Sequence, residues 1–115
     1  MPVLSLMAAA AAVTMSPGSQ LEKDVHCVAA IALTGDRLEK EEDKSSLITM
    51  MFYYLGRIAG EAPGFDLAGA LTKVAEIPNY ETQAMPADLI RCAGEMEQVG
   101  AELEAVGKAV EKSAK

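Results

Sequence analysis

Three residue sets in this sequence have the types and spacing that chemistry requires. The first is His26 beside Cys27, with the second cysteine, Cys92, far along the chain. A thiol held by an imidazole makes an activated nucleophile. Neighbours on a helix point about 100° apart, however, so His26 is not placed to hold Cys27. A zinc site built from His26, Cys27 and Cys92 lacks a fourth ligand. His26 falls opposite the apolar face of its own helix, near Glu22, and reads as an exposed histidine. The two cysteines, neither in a C-x-x-C motif, read as one disulfide in an oxidising compartment, with Cα atoms within about 7 Å. The other reading is a pair of buried thiols acting as small hydrophobes.

The second set is Tyr53, Arg57 and Glu61, which recur at four-residue intervals with Met50 on the same side. An aromatic, an arginine and a flexible methionine are the types enriched at interaction hot spots, so Met50, Tyr53, Arg57 and Glu61 form a candidate partner patch. The plainer reading is a solvated helix face with one ion pair. The third set is the charge run Asp36–Lys44, DRLEKEEDK. It reads as a solvated loop or an exposed helical turn. Glu41, Glu42 and Asp43 lack calcium-loop spacing, so no metal ligand is assigned. No Gly-rich phosphate loop, G-x-S-x-G or H-E-x-x-H occurs, and a single histidine excludes most multi-histidine sites. The expectation is a protein with no catalytic residue and no cofactor.

The elements that position these residues are helices. Half of the residues are hydrophobic but only 4% are aromatic, and there is no Trp. Ala, Leu, Met, Glu and Lys dominate, types that lose little freedom in a helix, and the β-branched and aromatic runs of strands are missing. Ser19 and Glu22 form a capping box opening a helix to about Thr34, with Gly35 as its stop. Leu21, Val25, Val28, Ala29, Ile31 and Ala32 share its apolar face. A second helix is expected from Ser45 or Ser46 to Gly60, with Leu47, Ile48, Met51, Leu55, Ile58 and Ala59 facing the core. Asp66 caps a short third helix from Leu67 to about Glu76, and Ile77–Met85 is an irregular connection anchored by Tyr80.

The last helix starts at Pro86 and continues toward Val110. Leu89, Cys92, Met96, Val99, Leu103, Val106 and Val110 alternate spacings of three and four, the a/d seam of a bundle or coiled coil. Ala93, Gly100 and Gly107 recur every seven residues beside it as a small-residue ledge. The fold class is therefore all-α, a bundle of about four helices with one disulfide, and 115 residues suffice for one domain.

A net charge of −7 disfavours nucleic acid and anionic membrane surfaces, which need a Lys/Arg stripe. The run Val3–Ala12 is apolar but too short to span a bilayer. Ala10 and Ala12 fit the small residues before a signal-peptidase site, which divides the chain into a leader, 1–12, and a helical domain, 13–115. No Lys or Arg precedes that run, and the competing reading is an extra Ala-rich helix. A leader and a disulfide together place the protein in the periplasm or outside the cell, with no stable membrane insertion after processing.

Residues 52–71, FYYLGRIAGEAPGFDLAGAL, together with Cys27 and Cys92, resemble a group of small exported bacterial helical proteins of no assigned activity. The likeness rests on Tyr54, Leu55, Gly56, Arg57 and the two cysteines. The acidic one-disulfide plan is also similar, in architecture alone, to the periplasmic acid-stress chaperones of the HdeA type, whose inter-cysteine loop is shorter. An architectural likeness does not carry function across; an acidic bundle with a small core and no site chemistry leads to the expectation of a periplasmic, non-catalytic interaction or chaperone-like protein, working on a protein partner or as a homo-oligomer. The alternative is a bundle that binds an apolar small molecule between helices, using Met51, Met96 and the glycine ledges.

Overall fold

The computed structural model describes residues 15–114. The leader 1–12 and its cleavage site before Val13 lie outside the described residues. The chain first turns at Ser16–Ser19, where the Ser19 N–H donates to the Ser16 carbonyl at 3.0 Å and Gly18 takes φ +75°. A positive φ at the third position of such a turn is where glycine is needed. Helix α1, Gln20–Gly35, follows. Ser19 Oγ accepts the Glu22 N–H at 3.2 Å, as a capping box requires. The return bond differs from the standard one: Glu22 Oε1 accepts from Gly18 N–H at 2.9 Å, because Ser19 N–H is engaged in the turn.

Helix α2 spans Glu41–Glu61 and so starts a turn before Ser45. Half of the charge run thus becomes helix. Glu41, Glu42 and Asp43 sit in the first turn, where the positive end of the helix dipole favours carboxylates. Helix α3, Leu67–Ala75, is capped by Asp66, whose Oδ1 accepts the Gly69 N–H at 3.0 Å. The connection then passes through Asn79 in the left-handed region, φ +58°, into a π-helical turn at Tyr80–Ala84. An ion pair between Arg37 and Glu81 ties this turn to the end of α1. Helix α4, Met85–Ala114, completes the fold, so the described residues form a four-helix α structure with one disulfide.

Helix α1 is the centre. It packs against α2, α3 and α4, and Val25, Cys27, Val28, Ala29, Ala30 and Ile31 are all buried. The single core cluster adds Tyr54 and Ile58 from α2, Ala70 and Val74 from α3, and Tyr80, Met85 and Cys92. Tyr80 anchors its connection as expected, at 2% exposure. Among the described residues no helix is long and apolar enough to cross a membrane.

The α2 face is rotated from the expected one. Ile58 is buried as expected, but Ile48 and Ala59 are exposed, and Tyr54 and, just past the helix end, Ala62 are buried instead. At 100° per residue this turns the core-facing arc by about 50° toward Arg57. The reason lies in what α2 must cover, since a carboxylate on α1 faces it.

Candidate functional site

That carboxylate is Asp24, which has 0% exposure. An unpaired charge at such a position would cost several kcal/mol, so it must be matched. Arg57 matches it with a two-pronged bridge: Nε to Oδ2 at 2.9 Å and Nη2 to Oδ1 at 2.7 Å. Gln20 Nε2 donates to Oδ1 at 2.9 Å. The third Arg57 nitrogen, Nη1, donates to the Tyr53 hydroxyl at 2.8 Å, and the guanidinium lies against both the Tyr53 and Tyr54 rings. Tyr54 carries the network to α4: its hydroxyl proton is shared between Glu95 Oε2 at 3.0 Å and the Cys92 carbonyl at 3.1 Å. Burial and the neighbouring Glu95 push the Tyr54 phenol up, so it stays a neutral donor. The hydrogen bond to Asp24 likewise raises Arg57 and keeps it charged.

The reading of Tyr53, Arg57 and Met50 as a solvated face is thereby corrected. Arg57 and Tyr53 join the α1–α2 interface, Met50 and Tyr53 are half-buried against the core, and only Glu61 of the four is exposed. Glu61 reaches Arg57 at 3.6 Å. The expectation of an exposed His26 is corrected as well. Its Nδ1 lies 3.1 Å from Asp88 Oδ2, and its ring meets Tyr80 edge to face at 5.8 Å. Helix α1 is covered on three sides, so little of it is left to face water.

Asp88 gathers a second cluster at the other end of the α1–α4 contact. Tyr80 donates to Oδ2 at 2.7 Å and Arg91 Nη2 to Oδ1 at 3.3 Å. A carboxylate only accepts, so the His26 Nδ1 in contact with it carries the hydrogen. Arg91 also donates to Glu95, to the Lys23 carbonyl and, at 3.5 Å, to Cys27 Sγ. The disulfide joins Cys27 to Cys92 between the two clusters, with Cα atoms 5.9 Å apart and both residues fully buried. The nucleophile reading of Cys27 has no thiol to use, because its sulfur is bonded to Cys92. Tyr80 is pushed up by burial and by Asp88, which leaves its proton in place. The carboxylates of Asp24 and Asp88 are each matched by donors from other helices, which ties α1 to α2 and to α4. Among the described residues no group of His, Cys, Asp or Glu is placed to hold a metal ion.

Burial works to raise Asp88, but the hydrogen bonds from Tyr80, His26 and Arg91 outweigh it and hold the carboxyl below its usual range. A carboxylate with a depressed folded-state pKa contributes stability above its unfolded value, about 3.9, and loses that contribution as pH falls below it. Glu61, raised first by desolvation and then by Asp24, acts in the opposite sense. Urea midpoints are therefore expected to fall between about pH 5 and pH 2, and to fall less in Asp88→Asn, which at neutral pH is about 1–3 kcal/mol less stable. Parallel pH curves for the two proteins would reject this assignment.

Two features outside these clusters are open to solvent. Among the described residues nothing packs on the α4 seam beyond Val99: Leu103, Val106 and Val110 are 66%, 58% and 63% exposed. Between the end of α1 and the start of α2 runs an open apolar groove of about 310 Å3, lined by Ile31, Ala32, Leu47, Ile48 and Met51 with Asp36 and Lys44 at its edge. Comparison of the chain with protein-family models, curated proteins and solved structures returns no match.

Proposed function

We propose that this chain is a small exported, non-catalytic interaction protein of chaperone-like type, working in the periplasm. Its disulfide-stapled body holds up the second half of α4 as a contact element for other polypeptides. The observation that carries the reading is the division of one heptad seam into two fates. Cys92 is buried and Leu89 and Met96 pack on the core, whereas Leu103, Val106 and Val110 stay in water. Exposed apolar side chains aligned on one face mark interaction surfaces in folded proteins. Phe52, 69% exposed on α2, adds a second apolar contact point. The net charge of −7 keeps such a protein soluble while it presents that face. Localisation in the periplasm is supported by the disulfide, which persists in oxidising compartments.

Replacement of Leu103, Val106 and Val110 together by Ser tests the reading. Stability should change by no more than about 0.5 kcal/mol per site, since these side chains do not pack in the described fold. Suppression of client aggregation, assayed by light scattering at neutral and acidic pH, should be lost. A wild-type protein without effect on aggregation at either pH would remove the chaperone-like role.

The groove favours a second reading, an apolar small molecule held between helices. It contains Met51, while Met96 belongs to the α4 contact and lies apart from it. An apolar fluorescent probe should bind the wild-type protein and not Ile48→Lys, if that reading holds.

A further inference from the structure

We infer that the exposed half of α4 pairs with the same segment of a second copy, antiparallel, about a two-fold axis between Leu103 and Val106. The inference rests on the reading of this segment as a contact element and names its partner.

The geometry follows from the heptad. Counting Met96, Leu103 and Val110 as a positions makes Val99 and Val106 d positions. In an antiparallel pair an a residue faces a d residue of the other helix. One register does this throughout the exposed stretch: Val99 opposite Val110 and Leu103 opposite Val106. A two-fold axis repeats each pair, as an isologous interface requires. The overlap from Glu97 to Lys112 is about 24 Å long. It begins beyond Met96, the last seam residue packed on the core cluster, and takes in the exposed Leu103, Val106 and Val110. The second copy's helix would continue along α4 from that point.

Two further features fit this register. In it Gly100 faces Gly107 of the other copy at the e positions. Neither glycine has any other side chain or backbone near the place a Cβ would occupy, so nothing described within the fold uses them. Each costs about 1 kcal/mol of helix stability relative to Ala, and a close helix–helix approach is what small residues permit. The charges also align. Glu95 is held within the fold by Tyr54, Arg57 and Arg91, whereas Glu102 at the next g position has no such partner, so Lys112 at the adjoining c position of one copy approaches Glu102 of the other. A parallel pair would align Glu102 with Gly107 and leave Lys112 without that match. Glu97, Glu104 and Glu111 lie one position further out, where water screens them and Lys108 already pairs with Glu104. Antiparallel helix dipoles add a favourable contribution.

The experiment uses the full chain with its native disulfide. Sedimentation across about 1–500 µM should show a monomer–dimer equilibrium, as expected of a short interface, with dissociation strengthened at least tenfold by Lys112→Glu. Val99→Cys and Val110→Cys proteins, mixed and mildly oxidised, should form the mixed disulfide. Val99→Cys alone should not link to itself, since the two sites lie about 16 Å apart along the axis. Ready self-linking of Val99→Cys would overturn the antiparallel pairing. A monomer at every concentration would overturn self-association altogether. Aggregation assays separate the two readings. A monomer that loses client protection when Leu103 and Val106 become Ser keeps the contact element and rejects the dimer. A dimer without client protection does the reverse.

Discussion

Replacement of Arg57 by Met is expected to lower the stability of the protein by about 3–5 kcal/mol, although the residue lies on a helix face that its sequence neighbours mark as polar. The cause is the carboxylate left behind. Asp24 has no exposure, and without Arg57 its remaining donor among the hydrogen bonds described is Gln20 Nε2. A buried carboxylate with one neutral donor either remains charged at high cost or takes up a proton, and both reduce stability at neutral pH. Tyr53 also loses the donor to its hydroxyl.

A double variant, measured by urea denaturation, distinguishes this cause from simple loss of packing. In the double variant Asp24→Asn with Arg57→Met the buried charge is gone, and much of the loss should be recovered. Additivity of the two single effects would show that the residues do not act as a pair.

This pair also explains which parts of the fold are legible in the sequence. The helices are: caps at Ser19 and Asp66 and the heptad of α4 are local signals, and the structure uses them. The disulfide is legible because only two cysteines exist. The orientation of α2 is not, because it depends on a partner remote in sequence. Counting Ile48 and Ala59 as core turns the arc away from Arg57, whereas in the fold both are exposed. A signal was nevertheless present on α1. On a helical wheel Asp24 falls between Val28 and Ile31, inside the apolar arc. A lone carboxylate there calls for a cation from another helix, and Arg57 is one of the few available. His26 and Asp88 are hidden in a different way, since their meeting depends on how α1 and α4 cross. The uncovered half of the α4 seam is invisible to periodicity, which records that a face is apolar but not whether anything covers it.

Loss of the disulfide is the other change expected to have a large effect. Reduction, or Cys27→Ala with Cys92→Ala, opens a loop of 65 residues in sequence separation, worth about 4 kcal/mol in the chain-entropy account. Domains of this class have about 5–15 kcal/mol in total, so the double variant should melt on the order of 20 °C lower. The position of the bond adds to the expectation. It lies between the Asp24–Arg57–Glu95 and His26–Asp88–Tyr80 clusters, and it fixes the α1–α4 contact on which both depend. Both cysteines are fully buried, so a reductant reaches them only when the fold opens. Alkylation under native conditions should therefore leave the mass unchanged for hours, while denaturant plus reductant should expose two thiols. The variant should lose helix content first in α4, because its remaining hold on α1 is the packing of Met85, Leu89 and Met96 on the core and the side-chain bonds of Asp88 and Arg91. Hydrogen exchange would show this as faster exchange from Leu89 to Val99 than in α1. Equal melting temperatures for the variant and the wild type would mean that packing of α1 alone sustains the fold and that the bond constrains little.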